Sequence, residues 1–225
     1  MTQVKVIVFD ANETLLDLGA LDPHFAAAYG DPHARATWFT QLLQLFLTAT
    51  VTGEYQPFDV LGDAALDVVA TQRGVELTKG DRAAIHAALL ALPAHPDVRP
   101  ALERLAAAKL RLAVLTNSTE RSAKAQMQHA GLAHYFEAVL SADTVKRYKP
   151  AREAYAHAAD ALGVELDELR LVAAHGWDVA GALAAGCRAA FVARPGKALN
   201  PKGTQPDVVA PTMLDVAEQI AARDA

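Results

Sequence analysis

The chain has 225 residues, 52% of them hydrophobic, and its 21 Lys and Arg against 26 Asp and Glu leave a net charge of −5. At about 150 residues per domain this is one domain with a large insertion or two small ones, with enough apolar mass for a sizeable core, which excludes a disordered chain and argues against a repeat array. The acidic balance and the lack of any Lys/Arg run argue against a nucleic-acid partner, and the single cysteine, Cys187, excludes an intramolecular disulfide or a Cys-based zinc site.

The first apolar run, residues 4–9, is β-branched and continuous, as in a strand covered on both faces. It is cut short by Asp10, too soon for a signal peptide, and no 18-residue apolar run follows, so a cytoplasmic protein with no membrane span is expected. Residues 18–96 carry helical periods and no convincing strand. Within them Trp38, Leu42, Leu45 and Phe46 share one helical face that Phe39, Leu43 and Leu47 widen, so this helix buries more than one side and is placed to line a cleft. Thr78 and Asp81 form a capping box with Asp in the usual Glu position, ahead of Ile85, Leu89 and Leu92 on one face.

Short apolar runs recur at residues 110–115, 138–140, 169–174 and 189–193. Helical stretches at 119–130, 151–162 and 178–185 alternate with them, each followed by a glycine, the usual residue after a last helical turn. The alternation predicts an α/β fold: a doubly wound parallel sheet, Rossmann-like, formed by residues 1–17 and 97–225, with residues 18–96 inserted as a helical cap.

In such sheets reactive groups collect beyond the carboxyl ends of the strands. Four predicted segments at that edge carry unusual chemistry: Asp10 with Glu13 and Thr14; Thr116-Asn117-Ser118; Lys149 before Pro150; and His175 with Trp177 and Asp178. Singly, each has an ordinary reading. Asp10 and Asp178 suit helix caps, Glu13 the first turn of a helix where a carboxylate meets the macrodipole, and Lys149 a solvated loop. Four polar strand ends in one sheet are harder to explain that way.

Together these segments resemble the haloacid-dehalogenase superfamily, in which a nucleophilic Asp is followed at the fourth position by Thr, as in Asp10-Ala11-Asn12-Glu13-Thr14. Thr116, Lys149 and Asp178 match its second, third and fourth motifs, and a helical cap after the first strand is also a family feature. Relatives that act as phosphatases carry a second Asp at the position of Asn12, and an amide cannot donate a carboxylic proton. The chain is instead similar to the L-2-haloacid dehalogenase branch at Leu115-Thr116-Asn117-Ser118, at Tyr148-Lys149-Pro150 with Tyr155 beyond, and at Trp177-Asp178. It departs from the better-known members in two places, with Phe39 where they carry a halide-contacting Arg and His175 where they carry Asn.

The resemblance implies a covalent reaction with no metal or organic cofactor, acting on a small haloacid and releasing halide. Asp10 attacks the halogen-bearing carbon, Lys149 and Thr14 hold it ionised, and Asp178 anchors Lys149. His175, aligned by Glu13, activates the water that opens the ester. Thr116 receives the substrate carboxylate; Asn117 and the ring edges of Phe39, Phe58 and Trp177 meet the halide, with Leu43 and Tyr155 completing the substrate contacts. Relatives in the branch imply a homodimer. A magnesium-dependent small-metabolite phosphatase and a catalytically silent binding relative stay open as alternatives.

Overall fold

A computed structural model of the chain describes residues 3–224. Its strands are β1 (Val6–Phe9), β2 (Arg111–Thr116), β3 (Ala138–Ser141), β4 (Leu169–Ala173), β5 (Arg188–Val192) and β6 (Val208–Ala210). They form one parallel sheet in the order β3-β2-β1-β4-β5-β6, with β1 at its centre in register with Arg111–Val114 on one side and Leu169–Val172 on the other.

All four residues of β1 are buried because both faces of the sheet are covered. Ile7 and Phe9 join an apolar cluster that includes residues of the helices α5 (Val98–Ala107) and α9 (Met213–Asp224). Val6 and Val8 point the other way, into a cluster with α7 (Arg152–Leu162) and α8 (Gly176–Ala185). The helix α6 (Glu120–His129) follows β2, capped by the Thr119 side chain. These positions fit the doubly wound fold read from the sequence.

Two elements were not read there. β6 is three residues at the sheet edge, in a stretch broken by Pro201, Gly203, Pro206 and Pro211, so neither length nor periodicity marks it. The helix α9 follows directly on it. Both are fastened to the sheet by Arg170, fully buried in β4, which bonds Asp207 and Asp224. Replacing Arg170 by Ala leaves the buried Asp224 carboxylate without its cation, and a loss of about 3–5 kcal/mol in denaturant unfolding is expected; a loss below about 1 kcal/mol would contradict this account.

Between β1 and α5 lie four helices: α1 (Asp22–Tyr29), α2 (Ala34–Thr52), α3 (Phe58–Arg73) and α4 (Lys79–Leu90). α2 buries Trp38, Phe39, Leu42 and Phe46, the broad face expected, and the Trp38 indole N–H donates to the Gly62 carbonyl of α3 at 3.0 Å. Leu45, Leu43 and Leu47 are less covered, Leu47 being exposed. The Thr78–Asp81 capping box is present at the start of α4. The segments that lead into and out of these helices pair side by side: Asp17 N–H donates to the Pro93 carbonyl and His95 N–H to the Leu15 carbonyl.

A second set of bonds ties the end of α2 to the loop before α7. Tyr148 OH donates to the Gln56 carbonyl at 2.6 Å, Tyr148 N–H to Thr50 Oγ1, and Arg147 to the Thr50 carbonyl at 2.7 Å. Tyr55 OH bonds Asp143 beside them.

Candidate active site

The carboxyl ends of β1, β2 and β4 converge with α2 and the start of α3 on one small cavity of about 20 Å³, room for about one water. Asp10, Asn12, Phe39, Leu43, Phe46, Phe58, Thr116, Asn117, His175 and Trp177 line it. At its floor Asp10 is bound at both oxygens. Lys149 Nζ donates to Oδ1 at 2.9 Å, while Oδ2 accepts from Thr14 Oγ1 at 2.7 Å and faces His175 Nδ1 at 3.1 Å. The Thr14 hydroxyl points at Asp10 because it already accepts the Ala174 N–H at 3.0 Å.

Lys149 spends its three hydrogens on Asp10, on Asp178 Oδ2 at 2.6 Å and on the Leu115 carbonyl at 2.9 Å. Burial disfavours its ammonium, but the charges of Asp10 and Asp178 outweigh this and hold its pKa above the ordinary lysine value. Burial likewise disfavours an ionised Asp10; Lys149, His175 and Thr14 more than compensate, and its carboxyl stays well below the usual range. Asp10 is therefore a fixed, buried carboxylate at the edge of the cavity.

Asp178 does not cap the helix it was expected to begin. α8 starts two residues earlier, at Gly176, and the Asp178 carboxylate is turned to Lys149 and to the Tyr155 hydroxyl, which donates at 2.6 Å. Gly181 makes room for this: a Cβ there would lie 2.4 Å from Pro150 Cβ and 2.6 Å from Tyr155 Oη. Tyr155 is consequently a support beneath Asp178. It does not line the cavity, and the expectation that it contacts substrate is corrected.

Glu13 was read in the first turn of a helix. It sits instead in a tight loop with φ of 61°, the left-handed region, which costs a non-glycine residue about 1–2 kcal/mol. The turn is held by Glu13 N–H donating to the Leu16 carbonyl, and it sets Glu13 Oε2 2.9 Å from His175 Nε2. His175 is thus clasped between two carboxylates, with Phe39 and Trp177 stacked on it at centroid distances of 5.7 and 5.2 Å. Burial opposes its charge, but the bonds to Asp10 and Glu13 prevail and push its pKa up to about 9. At neutral pH its ring is an imidazolium, donating to both.

Thr116 ends β2 at the cavity, its hydroxyl accepting the Ser118 N–H at 3.1 Å. Asn117 also lines it, but its amide is engaged by the Lys149 backbone, Oδ1 accepting at 2.8 Å and Nδ2 donating at 3.3 Å, which leaves one N–H uncommitted. Trp177 Nε1 is buried with no acceptor. Asn12, at the position where phosphatases place their acid, bonds Ser118 and Gln126. Among the described residues no cluster of three or more His, Cys, Asp or Glu is arranged to hold a metal ion.

Phe46, read in the sequence only as part of the broad face of α2, lines the cavity one turn beyond Leu42 and Leu43. Two charged participants escaped the sequence reading. Arg35 at the start of α2 and Lys197 in the loop after β5 both face Glu13, Arg35 at 3.6 Å. Lys197 follows a strand's carboxyl end, as the other polar groups do, and that position was the signal available.

The sequence profile of the haloacid dehalogenase-like hydrolases matches residues 4–186. The chain belongs to that family. Among this hydrolase's relatives, haloacetate dehalogenase H-2 of Moraxella sp. (strain B) is 27% identical over 98% of this chain and 100% of its own length. (S)-2-haloacid dehalogenase 4A of Burkholderia cepacia is 32% identical over 80% of this chain and 78% of its own. The hydrolase also superposes on the solved structure of L-2-haloacid dehalogenase from Xanthobacter autotrophicus with chloropropionic acid covalently bound, with a TM-score of 0.89, 26% identity, and coverage of 96% of this chain and 98% of that one.

Proposed function

We propose that this hydrolase converts short 2-haloacids to 2-hydroxy acids and halide through an ester on Asp10. The observation that carries the reading is the state of Asp10: a buried, ionised carboxylate, desolvated apart from Lys149, Thr14 and His175, and facing a small apolar-walled cavity. A carboxylate stripped of water is a far better nucleophile than one in solution. The covalently bound acid in the Xanthobacter autotrophicus structure supports the same step.

In the first step an Asp10 oxygen forms a bond to the α-carbon as the carbon–halogen bond breaks and the halide leaves with the electron pair. Thr116, which lines the cavity, receives the substrate carboxylate. In this reading the uncommitted Asn117 N–H, the unpartnered Trp177 N–H and the rings of Phe39 and Phe58, all on residues that line the cavity, receive the departing halide. Esterification cancels the charge of Asp10, so His175 loses one of the two carboxylates that sustain its proton. The ring then releases that proton to solvent and becomes a base, kept in its Nε2–H tautomer by Glu13. Water, losing a proton to His175, attacks the ester carbonyl, and the hydroxy acid departs.

In this reading residues 18–96 act as the cap that closes the cavity, with Phe39, Leu43, Phe46 and Phe58 as its contribution. Leu47 and Val51, the latter 85% exposed, lie one turn apart on α2, and Val60 is exposed on α3; these uncovered apolar side chains support a homodimer. The one cysteine, Cys187, is free and buried, which supports a reducing compartment, the cytoplasm; among the described residues no helix is long and apolar enough to cross a membrane.

The assay that tests the function measures halide released from chloroacetate with EDTA present, beside hydrolysis of a generic phosphate ester with magnesium. Halide release is expected. Phosphate release alone would establish a phosphatase instead, and neither signal would leave a binding relative.

A further inference from the structure

We propose that Lys197 is a positioning residue for ester hydrolysis: by sharing the Glu13 oxygen that holds His175, it keeps His175 able to surrender its proton once Asp10 is esterified. The inference rests on the dehalogenase reading above.

Lys197 lies in the loop that leaves the carboxyl end of β5. Arg194 moors that loop, donating to the Thr14 carbonyl at 2.9 Å, next to Glu13, and to both Asp97 oxygens at 2.9 Å. The absence of a side chain at Gly176 lets the loop close down, since a Cβ there would stand 2.7 Å from the Ala198 carbonyl. Lys197 is thereby brought to Glu13 Oε2, the oxygen that faces His175 Nε2. Its ammonium also lies 5.9 Å from the centre of the Phe39 ring that stacks on His175.

The charged groups around His175 come from every side. Asp10 ends β1 and faces Nδ1, Glu13 faces Nε2, Lys149 lies behind Asp10 with Asp178 beyond it, and Lys197 and Arg35 lie behind Glu13. Arg35 is already paired with Asp22. Lys197 is thus the cation that competes with His175 for the same oxygen. A carboxylate oxygen divided between two cations attracts each less strongly. Without Lys197 the full charge of Glu13 would fall on the imidazole. A larger share of the rings would stay protonated after Asp10 is esterified, and a protonated ring cannot take the proton of the attacking water.

The test is the titration of His175, followed by NMR in the resting protein, together with the pH profile of kcat for halide release from chloroacetate, in Lys197→Met, Lys197→Gln and Lys197→Arg. In either neutral variant the titration and the acid limb of kcat should both move up by about one unit, which slows turnover on that limb about tenfold. Lys197→Arg should restore both. An unmoved His175 titration, or an equal loss of kcat at every pH, would overturn the proposal. Because the titration needs no turnover, it decides the role of Lys197 separately from the reaction, whereas a wild-type protein that releases no halide would sink the dehalogenase reading.

Discussion

Asp10→Asn is expected to lower halide release by roughly four orders of magnitude or more while leaving the fold intact, since the amide keeps the shape and loses the attacking charge. The geometry makes the loss steep. Oδ1 belongs to Lys149 and Oδ2 to Thr14 and His175, so the arriving amide group must set its own hydrogens against a donor whichever way it turns. A companion measurement identifies the oxygen. In heavy-oxygen water, the hydroxy acid of a single turnover should carry unlabelled oxygen from Asp10, because water enters at the carboxyl carbon. Solvent label in that first product would mean direct attack by water and would remove the ester from the mechanism.

His175→Ala should release one halide per site and then stop, trapped as the Asp10 ester visible by mass spectrometry after mixing with chloroacetate. Displacement needs the carboxylate and its cation, Lys149, both still present; hydrolysis needs a base, and the only imidazole at the cavity is gone. Glu13→Gln should slow the same hydrolysis by roughly tenfold to a hundredfold, because it leaves the ring but removes the charge that steadies it when protonated. Normal turnover in His175→Ala, or no halide at all, would place His175 in substrate binding or in structure.

The parallel core could be read from the sequence because strands buried on both faces read as apolar runs: β1 is one throughout, β2 is apolar from Leu112 to Leu115, β4 is apolar apart from Arg170, and polar residues follow at their ends. The Asp10–Lys149–Asp178 arrangement and the Glu13–His175 pair were likewise legible, since order along a doubly wound sheet fixes which strand ends meet. The misreadings have local causes. Glu13 sits in a sequence as suited to a helix start as to a loop, and only the bond to Leu16 selects the left-handed turn. Tyr155 has the right spacing from Lys149 but faces inward from α7, a direction that depends on α8 packing closely at Gly181. Lys197 meets Glu13 across 184 residues, a contact without local signature.

Tyr148, the residue just before Lys149, is moored twice to the far end of α2, through its hydroxyl to Gln56 and through its amide to Thr50. The cavity at Asp10, of about 20 Å³, shares Phe39, Leu43, His175 and Trp177 with a wider one of about 540 Å³, so α2 forms one wall of both, and the two moorings hold that wall to the loop before α7. The same loop carries Lys149, whose ammonium is paired with Asp10. The wall over the cavity and the cation beside Asp10 are thus joined through two adjacent residues: Tyr148 is held by the end of α2 and the segment after it, and Lys149 holds Asp10, so the register of one fixes the register of the other.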